Sequence, residues 1–146
     1  MSKPTYILGL SCYYHDAGAV LLKDGKVVFA AQEERYTRKK QDDRLPTDAI
    51  AKALDHAQIT IDEVDAIGFY EKPMLKFFDR ILSTYFKTWP LGLRQYQMAM
   101  QEWMHTKLWI PQHIEKDLGY KGKVFYVPHH ESHAASSFYC SGFNDS

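Results

Sequence analysis

The chain has 146 residues, 45% of them hydrophobic and 25% charged, a composition that suits one soluble globular domain or a piece of one. Eighteen Lys and Arg balance eighteen Asp and Glu, so net charge gives no argument for broad nucleic-acid or membrane-surface binding. No apolar run approaches the roughly 20 residues of a membrane helix, MSKPTYILGL lacks the pattern of a signal peptide, and two cysteines, Cys12 and Cys140, make no disulfide framework, so a reducing cytoplasm is the expected compartment.

TYILGLS (5–11) predicts a short buried strand. Two apolar segments then flank Asp24-Gly25, a strong hairpin signal, so the second and third strands should pair antiparallel. RYTRKKQDDR (35–44) is polar throughout and reads as a loop. Pro46 suits a first helical turn, and Ile50, Leu54 and Ala57 mark a helix behind it. Thr60 and Glu63 have capping-box spacing, and VDAIGFYE (64–71) predicts a fourth strand centred on Ile67. Apolar residues at 74, 75, 78, 81, 82, 85 and 86 form a helical stripe that Pro90 ends. A second stripe passes through Leu93, Tyr96, Met100, Trp103, Met104 and Leu108, with Pro111 after it. These two helices read as an insertion over about 74–117. KVFYVP (123–128) predicts a fifth strand, and ESHAASSFYCSG (131–142) a helix that ends at Gly142.

Helices between strands imply parallel crossovers, while the leading hairpin makes the sheet mixed. The expected fold is therefore α/β, with a mixed five-stranded sheet. This order fits the ribonuclease-H-like lobe of the actin, Hsp70 and hexokinase group, an analogy that by itself says little about function.

Three clusters carry chemistry. In HHESH, His129 and His133 are four residues apart, which puts both imidazoles on one helix face about a turn apart. They follow a strand and open a helix, where open α/β sheets bind ligands. Neutral imidazole takes iron, zinc, nickel or manganese. The competing reading is a solvated helix start. Only Ser132 separates Glu131 from His133, so the metalloprotease motif H-E-x-x-H is absent. Two histidines do not complete a catalytic metal site. In SCYYHDAGA (11–19), His15 and Asp16 sit in a strand-to-strand turn, where a histidine with an orienting carboxylate can act as a general base. The local alternative is a turn in which Asp16 bonds the backbone, since adjacent residues in extended chain point apart. Arg38, Lys39 and Lys40 can hold phosphate or simply solvate a loop.

Together, ILGLSCYYHDAGAVLLKDGKVVFAAQEERYTRKK and PHHESHAASSFYCSGF resemble the O-carbamoyltransferases of antibiotic biosynthesis and nodulation-factor modification. The patterns H-D-x-x-A, E-E-R-x-T-R-K-K and H-H-x-x-H-A-A-S carry the resemblance, which spans nearly the whole chain. It implies an amino-terminal domain similar to the tRNA threonylcarbamoyl transferases, of the actin-like group, with a second domain making carbamoyl-adenylate from ATP and carbamoyl phosphate. The carbamoyl group then passes to a hydroxyl of a small-molecule acceptor. On this resemblance His129 and His133 are metal ligands, with iron the native ion and zinc or manganese as alternatives. His15 deprotonates the acceptor hydroxyl, and Lys39 and Lys40 approach the nucleotide. The family's further ligand is an aspartate beyond residue 146. Members are several times longer, so the chain is expected to be a first lobe, inactive alone, with an exposed apolar face that promotes self-association. Two other readings compete. A tRNA threonylcarbamoyl transferase would place its ligands as H-x-E-x-H, and Glu131 does lie midway between His129 and His133, but HDAGA and EERYTRKK favour the O-carbamoyl branch. A non-catalytic metal- or partner-binding module would use Met98, Met100, Trp103, Met104 and Trp109 as its contact stripe, although such a stripe is more often core.

Overall fold

Period-two alternation of apolar side chains builds the sheet. In the computed structural model, which describes residues 3–142, the strands are β1 Tyr6–Ser11, β2 Gly18–Lys23, β3 Lys26–Gln32, β4 Ala66–Phe69 and β5 Lys123–Tyr126. Their order is β3-β2-β1-β4-β5. β2 pairs antiparallel with both β1 and β3, while β4 pairs parallel with both β1 and β5. The sheet is thus mixed and five-stranded, as expected. Asp24 (φ 50°) and Gly25 (φ 77°) are both left-handed, the conformation a tight two-residue hairpin demands. Gly18 allows a close approach of strands: a Cβ there would stand 3.1 Å from the Ala31 carbonyl oxygen on the neighbouring strand.

One sheet face is the core. Leu8, Leu10, Ala19, Leu21, Ile67 and Phe69 are buried on it, with Ala49, Ile50 and Ala53 of helix α2 (Thr47–Ala57) buried as well. Leu21 is fully buried. Leu21→Ala should therefore cost about 2–5 kcal/mol in a denaturant titration, from lost burial plus a residual cavity. A cost below about 1 kcal/mol would mean that this face repacks freely. The opposite face is open: Ile7, Val27 and Phe125 are 38%, 54% and 56% exposed.

The polar stretch expected as a loop starts with a helical turn, α1 (Glu34–Thr37), closed by Arg38 in the left-handed region. The cause is long-range. Glu33 is buried, and its carboxylate accepts the Asp48 and Ala49 N–H groups at 3.1 and 2.8 Å, capping α2 from outside. This fixes the chain where α1 begins. The Thr60–Glu63 capping box forms, on a single 3-10 turn, Ile61–Glu63.

Residues Lys72–Tyr120 make a separate compact unit. Its helices are α3 (Pro73–Lys76), α4 (Ser83–Thr88), α5 (Leu93–His105) and α6 (Ile110–Leu118). The stripe expected to run evenly over 74–86 is interrupted by a π-helical segment, Phe77–Leu82, between α3 and α4. Phe77 lies outside the 3.6-residue stripe, yet it is buried against Trp103, ring centroids 5.7 Å apart. Met74, Leu75 and Phe78 are about half exposed instead. Pro111, expected after the second stripe, opens a further helix within the insertion. It occupies the first turn of α6, where its missing N–H costs nothing, and Ile110 and Ile114 are buried beside it. Of the residues weighed as a contact stripe, Trp103 is core, while Met98, Met104 and Trp109 are exposed.

After β5 comes helix α7, His129–Ser141, ending at Gly142 in the left-handed region. It starts two residues earlier than expected, so His129 and His130 are its first residues. Among the described residues, no helix is long and apolar enough to cross a membrane.

Candidate functional site

β1, β4 and β5 run parallel, so the segments that leave their carboxyl ends share one edge of the sheet. These segments are the loop 12–17 after β1, Tyr70 after β4, and the start of α7 after β5. The Val127 N–H donates to the Phe69 carbonyl at 2.9 Å and ties the last two together.

On α7 the four-residue spacing does what it predicts. The Nε2 atoms of His129 and His133 are 3.1 Å apart, with ring centroids at 4.6 Å. As they stand, one imidazole N–H donates to the other ring's nitrogen. The Tyr70 ring lies 5.5 Å from that of His129, and its hydroxyl donates to the Cys12 carbonyl at 3.4 Å. Burial, and then the neighbouring Glu71, push the Tyr70 phenol pKa upward, so it remains a proton donor across the physiological range. Burial, and then Asp43, likewise raise the Cys12 thiol, which removes it as a nucleophile. Among the described residues, no group of three or more His, Cys, Asp and Glu side chains gathers to hold a metal.

His15 and Asp16 come together. His15 Nδ1 and Asp16 Oδ2 are 2.9 Å apart. The segment between β1 and β2 is not extended: Tyr13 (φ 65°) and Asp16 (φ 47°) are left-handed, so the rule that neighbouring side chains point apart does not apply. The carboxylate can only accept, so Nδ1 carries the proton and Nε2 of the neutral ring keeps its lone pair. The His15 side chain is 60% exposed.

Asp16 also lines a cavity of about 990 Å³ above the open face of the sheet. Arg35, Tyr70, Ser132 and Ser136 line it too, over a floor that includes Gly9 and Gly68. A Cβ at Gly68 would meet no atom within 4 Å, so the floor is left clear. The structure does not bring the three expected phosphate-binding residues to this cavity. Arg38 and Lys40 are exposed on the loop after α1, and the Lys39 ammonium lies 3.9 Å from the Asp42 carboxylate. Arg35, on α1, is the cation on the cavity wall. Arg35 is not among the residues expected from the sequence, because its stretch reads there as loop, whereas it lies on the α1 turn. Ser132 and Ser136, spaced like the histidines, are likewise outside the expected set.

The family model described as carbamoyltransferase N-terminus matches residues 6–146. An uncharacterized protein of Synechocystis sp. is 45% identical to 97% of this chain, which spans 24% of that protein. The nodulation protein NolNO of Sinorhizobium fredii is 31% identical to 92% of the chain, which spans 19% of its length. A further uncharacterized protein, from Rhizobium etli, is 34% identical over 40% of the chain. The chain thus spans a quarter or less of the first two relatives.

Proposed function

The chain belongs to the carbamoyltransferase N-terminus family, and from that membership we propose that it forms the first lobe of an enzyme that moves a carbamoyl group from carbamoyl-adenylate to a hydroxyl of a small-molecule acceptor. The carbamoyl-adenylate would be made from ATP and carbamoyl phosphate elsewhere in the longer protein. The sheet order and its two antiparallel and two parallel pairings support a ribonuclease-H-like lobe of the actin type.

The observation that carries this reading is the 2.9 Å bond between His15 Nδ1 and Asp16 Oδ2, on a loop that lines a ligand-sized cavity. A neutral hydroxyl is a poor nucleophile for a carbamoyl carbon. His15 Nε2 accepts its proton as the acceptor oxygen bonds that carbon, and the bond from the carbon to the adenylate phosphate oxygen breaks. AMP leaves, and the acceptor carries an O-carbamoyl ester. Asp16 fixes the tautomer that leaves Nε2 ready and stabilises the imidazolium that forms. Arg35 on the cavity wall offers a planar guanidinium to phosphate oxygens of the donor, and Ser132 and Ser136 add hydroxyl donors.

His129 and His133 fit two positions around one divalent ion: metal–nitrogen bonds of ~2.0–2.1 Å would put adjacent imidazole nitrogens ~2.8–3.4 Å apart, from right-angled to tetrahedral geometry, a span that includes the 3.1 Å between the two Nε2 atoms. By resemblance the ion is iron, with zinc or manganese as alternatives. When bound, it supplies Lewis-acid polarisation or holds donor oxygens. The Tyr70 ring beside His129 limits how that imidazole turns.

The test is the transfer reaction in the full-length protein, followed as O-linked carbamate on hydroxylated acceptors. Within it, Arg35→Gln should raise the KM for the phosphate-bearing donor about tenfold, the loss of one charge-assisted hydrogen bond. Arg38→Gln should leave that KM unchanged. The reverse ranking would move the phosphate contact back to the loop.

A further inference from the structure

The turn that carries His15 and Asp16 is held by a segment far from it in sequence. The Tyr13 N–H donates to the Asp43 carbonyl at 2.5 Å, and the Ala17 N–H donates to the Asp42 carbonyl at 2.7 Å. Both ends of the turn therefore hang on two consecutive carbonyls. Tyr13 and Asp16 sit in the left-handed region, which non-glycine residues keep only where their surroundings hold them.

Within the 42–43 segment the buried Asp42 carboxylate is paired with Arg44, whose side chain is 64% exposed. Asp42 is 1% exposed. Its two carboxylate oxygens accept Arg44 Nε–H at 2.9 Å and Arg44 Nη2–H at 2.8 Å, a fork that sets direction as well as distance. The Arg44 backbone N–H adds a longer bond to the same carboxylate at 3.4 Å. An aspartate this buried persists only with such a partner. Neither residue lines the cavity, so their influence on it passes through the backbone.

We propose that Asp42 and Arg44 are positioning residues for the His15–Asp16 pair, acting through the Ala17 and Tyr13 backbone bonds. The proposal rests on the reading of His15 as the base. The pair contacts no reacting atom. It sets the backbone from which the imidazole and its carboxylate meet.

The experiment uses Asp42→Asn and Arg44→Lys in the full-length protein, with two readouts. Asp42→Asn sets an amide N–H₂ against the guanidinium. Arg44→Lys keeps the charge, loses the fork, and serves if the first variant fails to fold. In steady-state transfer, kcat should fall by about 10- to 100-fold in Asp42→Asn, the scale of a displaced catalytic group, with the KM values of donor and acceptor unchanged. Arg44→Lys should fall less. In ¹⁵N spectra, the His15 ring should be the Nδ1–H tautomer in the wild type and a mixture of tautomers in the variants. Wild-type kcat in both variants, or losses that only track the folded fraction with the His15 tautomer unchanged, would overturn the proposal. If the wild-type protein transfers no carbamoyl group, the functional reading fails, and the tautomer still decides whether the brace positions His15.

Discussion

His15→Gln should lower kcat for carbamoyl transfer by about 100- to 10,000-fold, the span over which a positioned general base contributes. The KM for the donor should stay near wild type, because the proposed phosphate contacts are assigned to Arg35 and the α7 serines on the cavity wall. Thermal stability should also hold, since the His15 side chain is 60% exposed and its hydrogen bond is to its own neighbour. Asp16→Asn should cost less. Asparagine tolerates the left-handed backbone at φ 47°, so the turn survives, but the amide no longer demands the Nδ1–H tautomer or stabilises imidazolium. Initial rates and a melting curve for each variant check this. A His15→Gln enzyme within twofold of wild-type kcat would remove the histidine from the chemistry.

The second large effect concerns the pair on α7. The His129→Ala, His133→Ala double variant should bind iron(II), manganese(II) and zinc(II) at least about 100-fold more weakly than wild type, since even outer-shell partners of ligating histidines account for 10- to 100-fold. Transfer activity should fall with it. The fold should not suffer, because no residue of α7 is buried and alanine is the better helix former. Titration calorimetry on both proteins, with circular dichroism as the fold control, gives the answer. Equal saturable binding by the two would take the metal role away from these histidines.

Much of the fold is legible where local and tertiary preferences agree. Asp24-Gly25 needs two left-handed residues and stands between alternating apolar runs, so the hairpin can hardly form elsewhere. The His129–His133 proximity follows from helix geometry alone. Other features depend on partners that spacing does not reveal. Glu33 caps α2 fifteen residues downstream of itself, which makes the α1 turn and brings Arg35 to the cavity. Asp16 meets His15 in a turn with positive φ at Tyr13 and Asp16, flanked by backbone bonds to the carbonyls of 42 and 43 that spacing does not reveal. Pro111 was ambiguous in principle, since proline both follows one helix and opens the next. The π-helical segment FFDRIL keeps apolar residues at helical spacing in the sequence, and only the packing of Phe77 rather than Phe78 against Trp103 reveals the shift.

One experiment bears at once on transfer of a carbamoyl group to oxygen and on His15 as the base. The most direct measurement supplies ¹³C-labelled carbamoyl phosphate and ATP to the full-length protein with a panel of polyhydroxylated acceptors, and locates the label by NMR. The expected product is a ¹³C carbamate ester on an acceptor oxygen, dependent on ATP and reduced at least about 100-fold by His15→Gln. Label found on nitrogen, or an O-carbamoyl product formed at an unchanged rate by the His15 variant, would contradict it.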